Sequence, residues 1–383
     1  MRTTAFLGLG PFSGPSIGQR LADAQMRPSG FDYMRIALAL SVMFFHSTEF
    51  SAGTPALWAL NHRPFNVWDL SVVPMFFALS GFLVAGSLDR ARSLLDFIGF
   101  RVLRIFPALA VDTLFSAVVL GLFLTTVPPA AYLSSAGFHA YFLNMLGDPH
   151  YLLPGVFGSN PYPFVNIQLW TIPYELGCYL ALVGLTVAGV YRRRAIFLVI
   201  ALAAILGLQT WLPASDYRHG LVVPSFLAGV AMHLYRDRVP WNPWLFLASL
   251  LAILATAVVP HTARWLPIPL SYATVFLGTL NPKRVWPVNA GDYSYGLYLY
   301  GFPIAQTLIA TVPAARLWYW NFCLTTLAAG GFAFLSWHLV EKNCLALKPR
   351  LYAFNARLLS VWWVRRSPGP APARRDRRDR TAW

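Results

Sequence analysis

The chain has 383 residues, 57% of them hydrophobic, 15% aromatic and only 12% charged, with a mean hydropathy of +0.52. Soluble proteins carry about 25% charged residues, so a soluble enzyme is excluded, and no polar block is long enough for a separate soluble domain. The net charge of +15 does not signal nucleic acid, because no base-reading module appears and the basic residues follow a membrane topology instead.

In chain order, residues 1–30 hold one short apolar stretch, Ala5 to Phe12, broken by Gly and Pro. This argues against a cleavable signal peptide and predicts a disordered cytoplasmic N-terminus. Apolar runs long enough to cross a bilayer follow at 32–51, 65–88, 105–126, 168–190, 194–212, 219–235, 243–260, 266–280, 290–311 and 316–347, the eighth being short. The predicted fold is all-α: a polytopic membrane protein, one bundle of about ten transmembrane helices over 31–349. With the N-terminus inside, all 30 Lys and Arg residues fall on inner segments except Arg63, Arg218, Arg264 and Arg316, outside, and Arg35, within the first helix. That asymmetry predicts both termini in the cytoplasm. The outer loop at 127–167 has no Lys or Arg and many Pro, Gly and aromatic residues. It is either a lid or acceptor platform or an interfacial aromatic anchor. The basic tail, 350–383, is disordered by composition from Arg365 onward and would touch anionic lipid.

The residues able to do chemistry begin on the first helix, Phe31-Asp32-Tyr33-Met34-Arg35 through His46. Eleven residues make three helical turns plus ~20°, so Arg35 and His46 share a face about 16 Å apart along the axis. An ionisable group in hydrocarbon costs about 2.5–3.5 kcal/mol even on insertion scales, which makes a function for His46 the better reading over a core histidine. Asp32 either caps this helix or pairs with Arg35. In the predicted inner loop, Arg101 and Arg104 stand at i and i+3; they either grip phosphates or snorkel at the interface. Glu175, in Leu169-Trp170-Thr171-Ile172-Pro173-Tyr174-Glu175, lies at about the depth of His46, which permits a His–carboxylate pair. It is equally readable as an interhelical acceptor. Pro173 is expected to kink that helix beside it. Asp112, His233, His338 and Glu341 carry weak signals alone. Cys178, Cys323 and Cys344 have neither metal nor disulfide spacing and read as packing residues; no metal site is expected. Walker, dinucleotide, zinc and nucleophile-elbow motifs are missing.

Taken together, these motifs resemble the membrane-bound acyltransferase-3 family of bacterial O-acyltransferases, from about Phe31 to Pro349. The pieces occur in family order: Arg35-x10-His46; Phe76-Phe77-Ala78-Leu79-Ser80-Gly81-Phe82-Leu83; Arg101-x-x-Arg104-Ile105-x-Pro107; Leu169 to Glu175; Ser294-Tyr295-Gly296-Leu297-Tyr298-Leu299-Tyr300; and Ser336-Trp337-x-x-x-Glu341. Each is weak alone, and six in order are specific. The resemblance implies a ten-helix core that takes an acyl group from cytoplasmic acyl-coenzyme A to an acceptor hydroxyl, usually of a carbohydrate, with Arg35, Arg101 and Arg104 on the donor's phosphates and His46 essential to transfer. Two departures matter. Tyr300-Gly301 stands where many relatives have Trp-His, so no role for a second histidine carries over. A fused periplasmic hydrolase-like domain is not seen either, so a second transfer step would need a separate partner.

The resulting expectation is an O-acyltransferase of the bacterial cytoplasmic (inner) membrane. It would move an acyl, most simply acetyl, group onto a saccharide or glycolipid such as an exopolysaccharide or lipopolysaccharide precursor. No cofactor would be bound permanently, acyl-coenzyme A (acetyl-coenzyme A first) being the donor substrate. The partners would be membrane lipids and saccharide biosynthesis machinery, with no nucleic acid. His46, oriented by Glu175, would act as general base or transient acyl carrier. The alternative is a multi-pass transporter using His46, Glu175 and Asp112 as a proton or solute pathway; the chain shows no internal repeat to support it.

Overall fold

The computed structural model describes residues 14–53, 55, 65–211, 219–259 and 262–366. Among these no strand occurs beyond one isolated bridge between Ser16 and Pro240. The helices are α1 (Ile17–Asp23), α2 (Gly30–Ala52), α3 (Phe65–Arg90), α4 (Leu94–Leu114), α5 (Pro129–Ser134), α6 (Ala136–Tyr141), α7 (Thr171–Val187), α8 (Arg194–Trp211), α9 (His219–Leu234), α10 (Pro243–Val258), α11 (Pro267–Gly278), α12 (Ser294–Thr311), α13 (Trp318–Ser336) and α14 (Lys348–Arg366). Short π segments extend α4 over Phe115–Leu120 and α13 over Trp337–Glu341.

A helix lies at each of the ten apolar runs. Among the described residues, four helical stretches are long and apolar enough to cross a membrane by themselves: Asn66–Arg90, Leu94–Leu124, Ile167–Val187 and Trp318–Leu358. The others are shorter, as α11 is, or carry polar groups, as α2 does with Asp32, Arg35, His46 and Glu49. The outer surface is apolar. Leu180 on α7 and Leu327 on α13 are 65% and 75% exposed, and apolar side chains standing free on helix after helix suit a lipid environment.

Small residues set the packing. α3 and α9 cross so closely that a side chain on Gly81 would strike the Phe226 backbone, and one on Gly229 the Ala78 backbone. Gly296 likewise brings α12 against Ala333 of α13. Close approach of this kind is how helices associate where lipid removes the hydrophobic drive between them. α12 and α13 both pack on α2, which puts the first helix at the centre of the bundle.

Four expectations need correction. The N-terminal segment is ordered from Ser16: a capping box starts α1, Ile17 and Leu21 are buried, and Ile17 N–H bonds to Val239 O at 3.0 Å. Residues 1–13 lie outside the described residues, as do 367–383 of the tail. Arg101 and Arg104 sit not in a loop but on α4, which starts earlier because Ser93 caps it at the Asp96 N–H. Pro173 falls in the first turn of α7 after a 3-10 turn at Ile167–Trp170, where its missing N–H would be unpaired anyway and no kink is needed. The 127–166 segment is no aromatic fringe. Tyr132, Tyr141, Phe138 and Phe157 are buried with Val165 and Ala117 in a core of their own, and the Tyr132 hydroxyl donates to Ala117 O on the α4 extension at 2.7 Å. Of the cysteines, Cys178 is buried and Cys323 exposed.

Candidate active site

α2 carries Arg35 toward one end and His46 toward the other. His46 Nδ1 lies 2.9 Å from Glu49 Oε2, the ring 28% and the carboxylate 7% exposed. Three residues apart, the two share one helical face. Phe302 meets the ring edge-on at 4.5 Å and Phe50 stacks on it at 5.7 Å. A cavity of about 20 Å3, room for one water, opens here, its wall including His46, Met43, Gln168, Tyr298, Gly301 and Phe302. Gly301 packs on Met43, so the position where many relatives have histidine is where α12 abuts α2. With Nδ1 engaged by Glu49, Nε2 has no hydrogen bond among the described residues. This leaves an oriented imidazole with one nitrogen available at a small, largely apolar cavity.

The carboxylate expected at His46 was Glu175, and the structure corrects this. Glu175 accepts from Tyr179 Oη one turn along α7, while the Arg101 guanidinium lies over the Tyr179 ring at 5.8 Å. Equal depth was met by a different azimuth.

At the other end of α2, Arg35 Nη1 binds Asp292 Oδ2 at 3.0 Å, and Arg104 Nη2 reaches the same oxygen at 2.6 Å. Arg104 Nη1 also contacts Glu341 Oε2 at 3.3 Å. Ser294 donates to Asp292 at 2.6 Å and Ser336 to Glu341 at 3.1 Å. Burial alone would raise the Asp292 carboxyl, but Arg104, Arg35 and Ser294 overrule it and hold it well below the usual carboxylate range. Two of the three arginines assigned to phosphate therefore already face carboxylates. Arg101 does not: its Nη2 donates to Ser87 Oγ at 3.0 Å, and its buried Nε has no partner. The i, i+3 spacing put both on one helix, yet their side chains diverge.

Asp112 is fully buried and accepts from Asn166 Nδ2 at 3.1 Å. That amide also faces Ser116 Oγ and Tyr141 Oη, and Gln168 Nε2 donates to Asn166 Oδ1 at 3.1 Å. Because Gln168 lines the His46 cavity, this buried chain ties the 127–166 segment to the site. Tyr162 of the same segment lies against Phe50, and its carbonyl accepts from Gln306.

Two residues of the site escaped sequence reasoning. Glu49 had a signal, the i, i+3 spacing from His46. Asp292 had a weaker one, its place before Ser294 at a helix start. Glu341 was noted as a weak signal and as the end of the Ser336–Glu341 motif, with no role assigned to it.

Residues 29–340 match the acyltransferase domain family known as acyltransferase-3. The chain is 27% identical over 340 residues to a protein named O-acetyl transferase from Shigella phage Sf6, covering 82% of this chain and 95% of that one. It is 30% identical over 403 aligned positions to Nodulation protein 10 of Rhizobium leguminosarum bv. viciae, covering 92% of this chain and all of that one. No solved structure matches. A match over most of the length, on a membrane bundle with these motifs, leads to one conclusion: the chain belongs to the membrane-bound acyltransferase-3 family and is an O-acyltransferase.

Proposed function

We propose that the enzyme spans the bacterial inner membrane about ten times with both termini inside. In this reading it transfers an acetyl group from cytoplasmic acetyl-coenzyme A to a hydroxyl of a saccharide or glycolipid. The observation that carries the reading is the His46–Glu49 pair at a small, largely apolar cavity, on the same helix as an arginine about 16 Å away. A pantetheine arm spans about that distance in extended form. The phage relative's name supports acetyl, and nothing in it bears on the acceptor.

Glu49 accepts the Nδ1 proton of His46, which leaves Nε2 as the base. The acceptor hydroxyl oxygen attacks the thioester carbonyl carbon, its proton passes to Nε2, and the carbon–sulfur bond breaks. The departing thiolate then takes a proton, and Glu49 stabilises the transient imidazolium. In the other route Nε2 attacks the carbonyl first and holds the acyl group until the hydroxyl displaces it. Arg101, which faces no carboxylate, is the direct phosphate contact. Arg35 and Arg104, aligned by Asp292 and Glu341, present their remaining N–H groups to the donor. Glu175 acts through Tyr179 on Arg101, as a positioning residue. Against the transporter alternative stand the match to an acyltransferase family and the lack of any direct hydrogen bond joining His46, Glu175 and Asp112 among the described residues.

The test is acetyl-coenzyme A binding and acetyl transfer to saccharide fractions, read by the mass added to the acceptor. His46→Ala should bind the donor and transfer nothing. Transfer by that variant at the wild-type rate would overturn the proposal.

A further inference from the structure

Near the Arg35 end of α2 there is a cavity of about 240 Å3 that the transfer chemistry does not use. Its wall includes Arg27, Asp32, Phe82, Arg90, His233 and Arg284. Arg284 is held by Asp32 at 3.1 Å and by the Arg27 carbonyl at 3.1 Å. Arg27 and Arg90 are different. Among the described residues their guanidiniums make no hydrogen bond or ion pair, yet they repel one another, with Arg101 adding to the field at Arg90. Lys348 also feels Arg27 and Arg101. Asp89 offsets part of this charge, but its carboxylate is occupied by Tyr191 Oη at 2.9 Å, His233 Nε2 at 2.8 Å and, at 3.9 Å, Arg236. Like charge that is only partly offset around a cavity favours an anion inside it.

His233 is an independent indication. It is 3% exposed, and while Nε2 lies 2.8 Å from Asp89 Oδ2 and 3.0 Å from Arg236 Nη1, Nδ1 is buried without a partner. A Cβ on Gly86 would lie 3.3 Å from Arg90 Nη1 and 3.5 Å from His233 Nδ1, so the two groups converge over that bare glycine. Without a proton, Nδ1 is an acceptor lacking a donor; carrying one, it is a donor lacking an acceptor. An oxygen-bearing ligand answers either state.

We propose that this cavity binds a phosphomonoester, with Arg27 and Arg90 on its oxygens and His233 Nδ1 on an adjoining hydroxyl or phosphate oxygen. Resting on the reading of the donor as acyl-coenzyme A, that group is the 3′-phosphate of the donor's ribose. The position fits. Asp32 precedes Arg35 by one turn, so the cavity continues the arginine cluster away from His46, where the nucleotide end of a donor whose thioester sits at His46 must lie. The volume suits a ribose phosphate and not a whole drug-sized ligand. An anionic lipid headgroup offers the same chemistry, and the experiment separates the two sources.

Acetyl-coenzyme A and its 3′-dephospho analogue are titrated into the purified full-length protein, with and without phosphatidylglycerol. Wild type should prefer the phosphorylated donor by about tenfold or more. Arg27→Gln/Arg90→Gln, shown monodisperse, should bind both donors alike, at the wild-type affinity for the dephospho form, and His233→Gln should narrow the preference. Equal binding of both donors by wild type overturns the assignment and leaves the acyl-coenzyme A reading standing. Binding of neither donor overturns both. A double variant that keeps the preference but loses stabilisation by phosphatidylglycerol gives the cavity to lipid and overturns the nucleotide assignment.

Discussion

Glu49→Gln keeps the shape of the side chain that meets His46 and removes its charge. At about 4 Å and an effective dielectric of ~20, an imidazolium and a carboxylate attract by about 4 kcal/mol. The His46 ring is 28% exposed, so about half of that is the better figure, which corresponds to roughly 30-fold in rate. A second effect adds to the first. The Gln amide offers an N–H to Nδ1 and so favours the tautomer with the proton on Nε2, the nitrogen that must be bare; the analogous change in a serine-protease triad costs about 10⁴ in kcat. The expected loss in kcat is between about 10² and 10⁴, with KM for acyl-coenzyme A unchanged, because Glu49 is remote from the arginines. Single-turnover transfer of labelled acetyl in proteoliposomes measures it. A kcat within about threefold of wild type would refute the reasoning. If Glu175→Gln gave the large loss instead, the carboxylate at equal depth would be the working partner after all.

Three further outcomes are expected. Arg101→Gln should raise KM for acyl-coenzyme A by about tenfold with little change in kcat; a pure kcat defect would take Arg101 off the donor. Asp292, held low by Arg104 and Arg35, contributes stability that is present above the unfolded carboxylate value of about 3.9 and is lost as pH falls toward its folded value. The melting-temperature gap between wild type and Asp292→Asn should therefore stay constant above about pH 5 and close below about pH 4; a gap independent of pH would sink the ion-pair account. Gly229→Val drives a side chain into the Ala78 backbone and should cost about 3 kcal/mol or more, seen as loss of monodisperse protein. An unchanged melting temperature would mean that α3 and α9 can separate freely.

Much of the molecule was legible beforehand because its signals are local. Apolar runs dictate helices when no water satisfies the backbone, and helices occur where those runs lie. Helix boundaries were less legible: Ser93 starts α4 well before the apolar run, since capping is a short-range polar effect that hydropathy ignores. The long aromatic segment looked equally like a lid or a fringe, and burial of Tyr132 and Tyr141 in a core of their own argues against the fringe. Composition cannot tell an aromatic ring in its own small core from one in headgroups.

The sequence by itself determined the membrane class, the helical architecture and the shared face of Arg35 and His46, because rise and rotation per residue follow from backbone geometry alone. Tertiary structure alone decided what those groups meet. Depth in the bilayer can be counted along one helix, but the rotation of each helix about its axis is set by packing against its neighbours. That rotation left Glu175 with Tyr179 of its own helix rather than with His46, sent Arg104 to Asp292 while Arg101 turned aside, and gathered Arg27, Arg90 and His233 from three distant segments around one cavity.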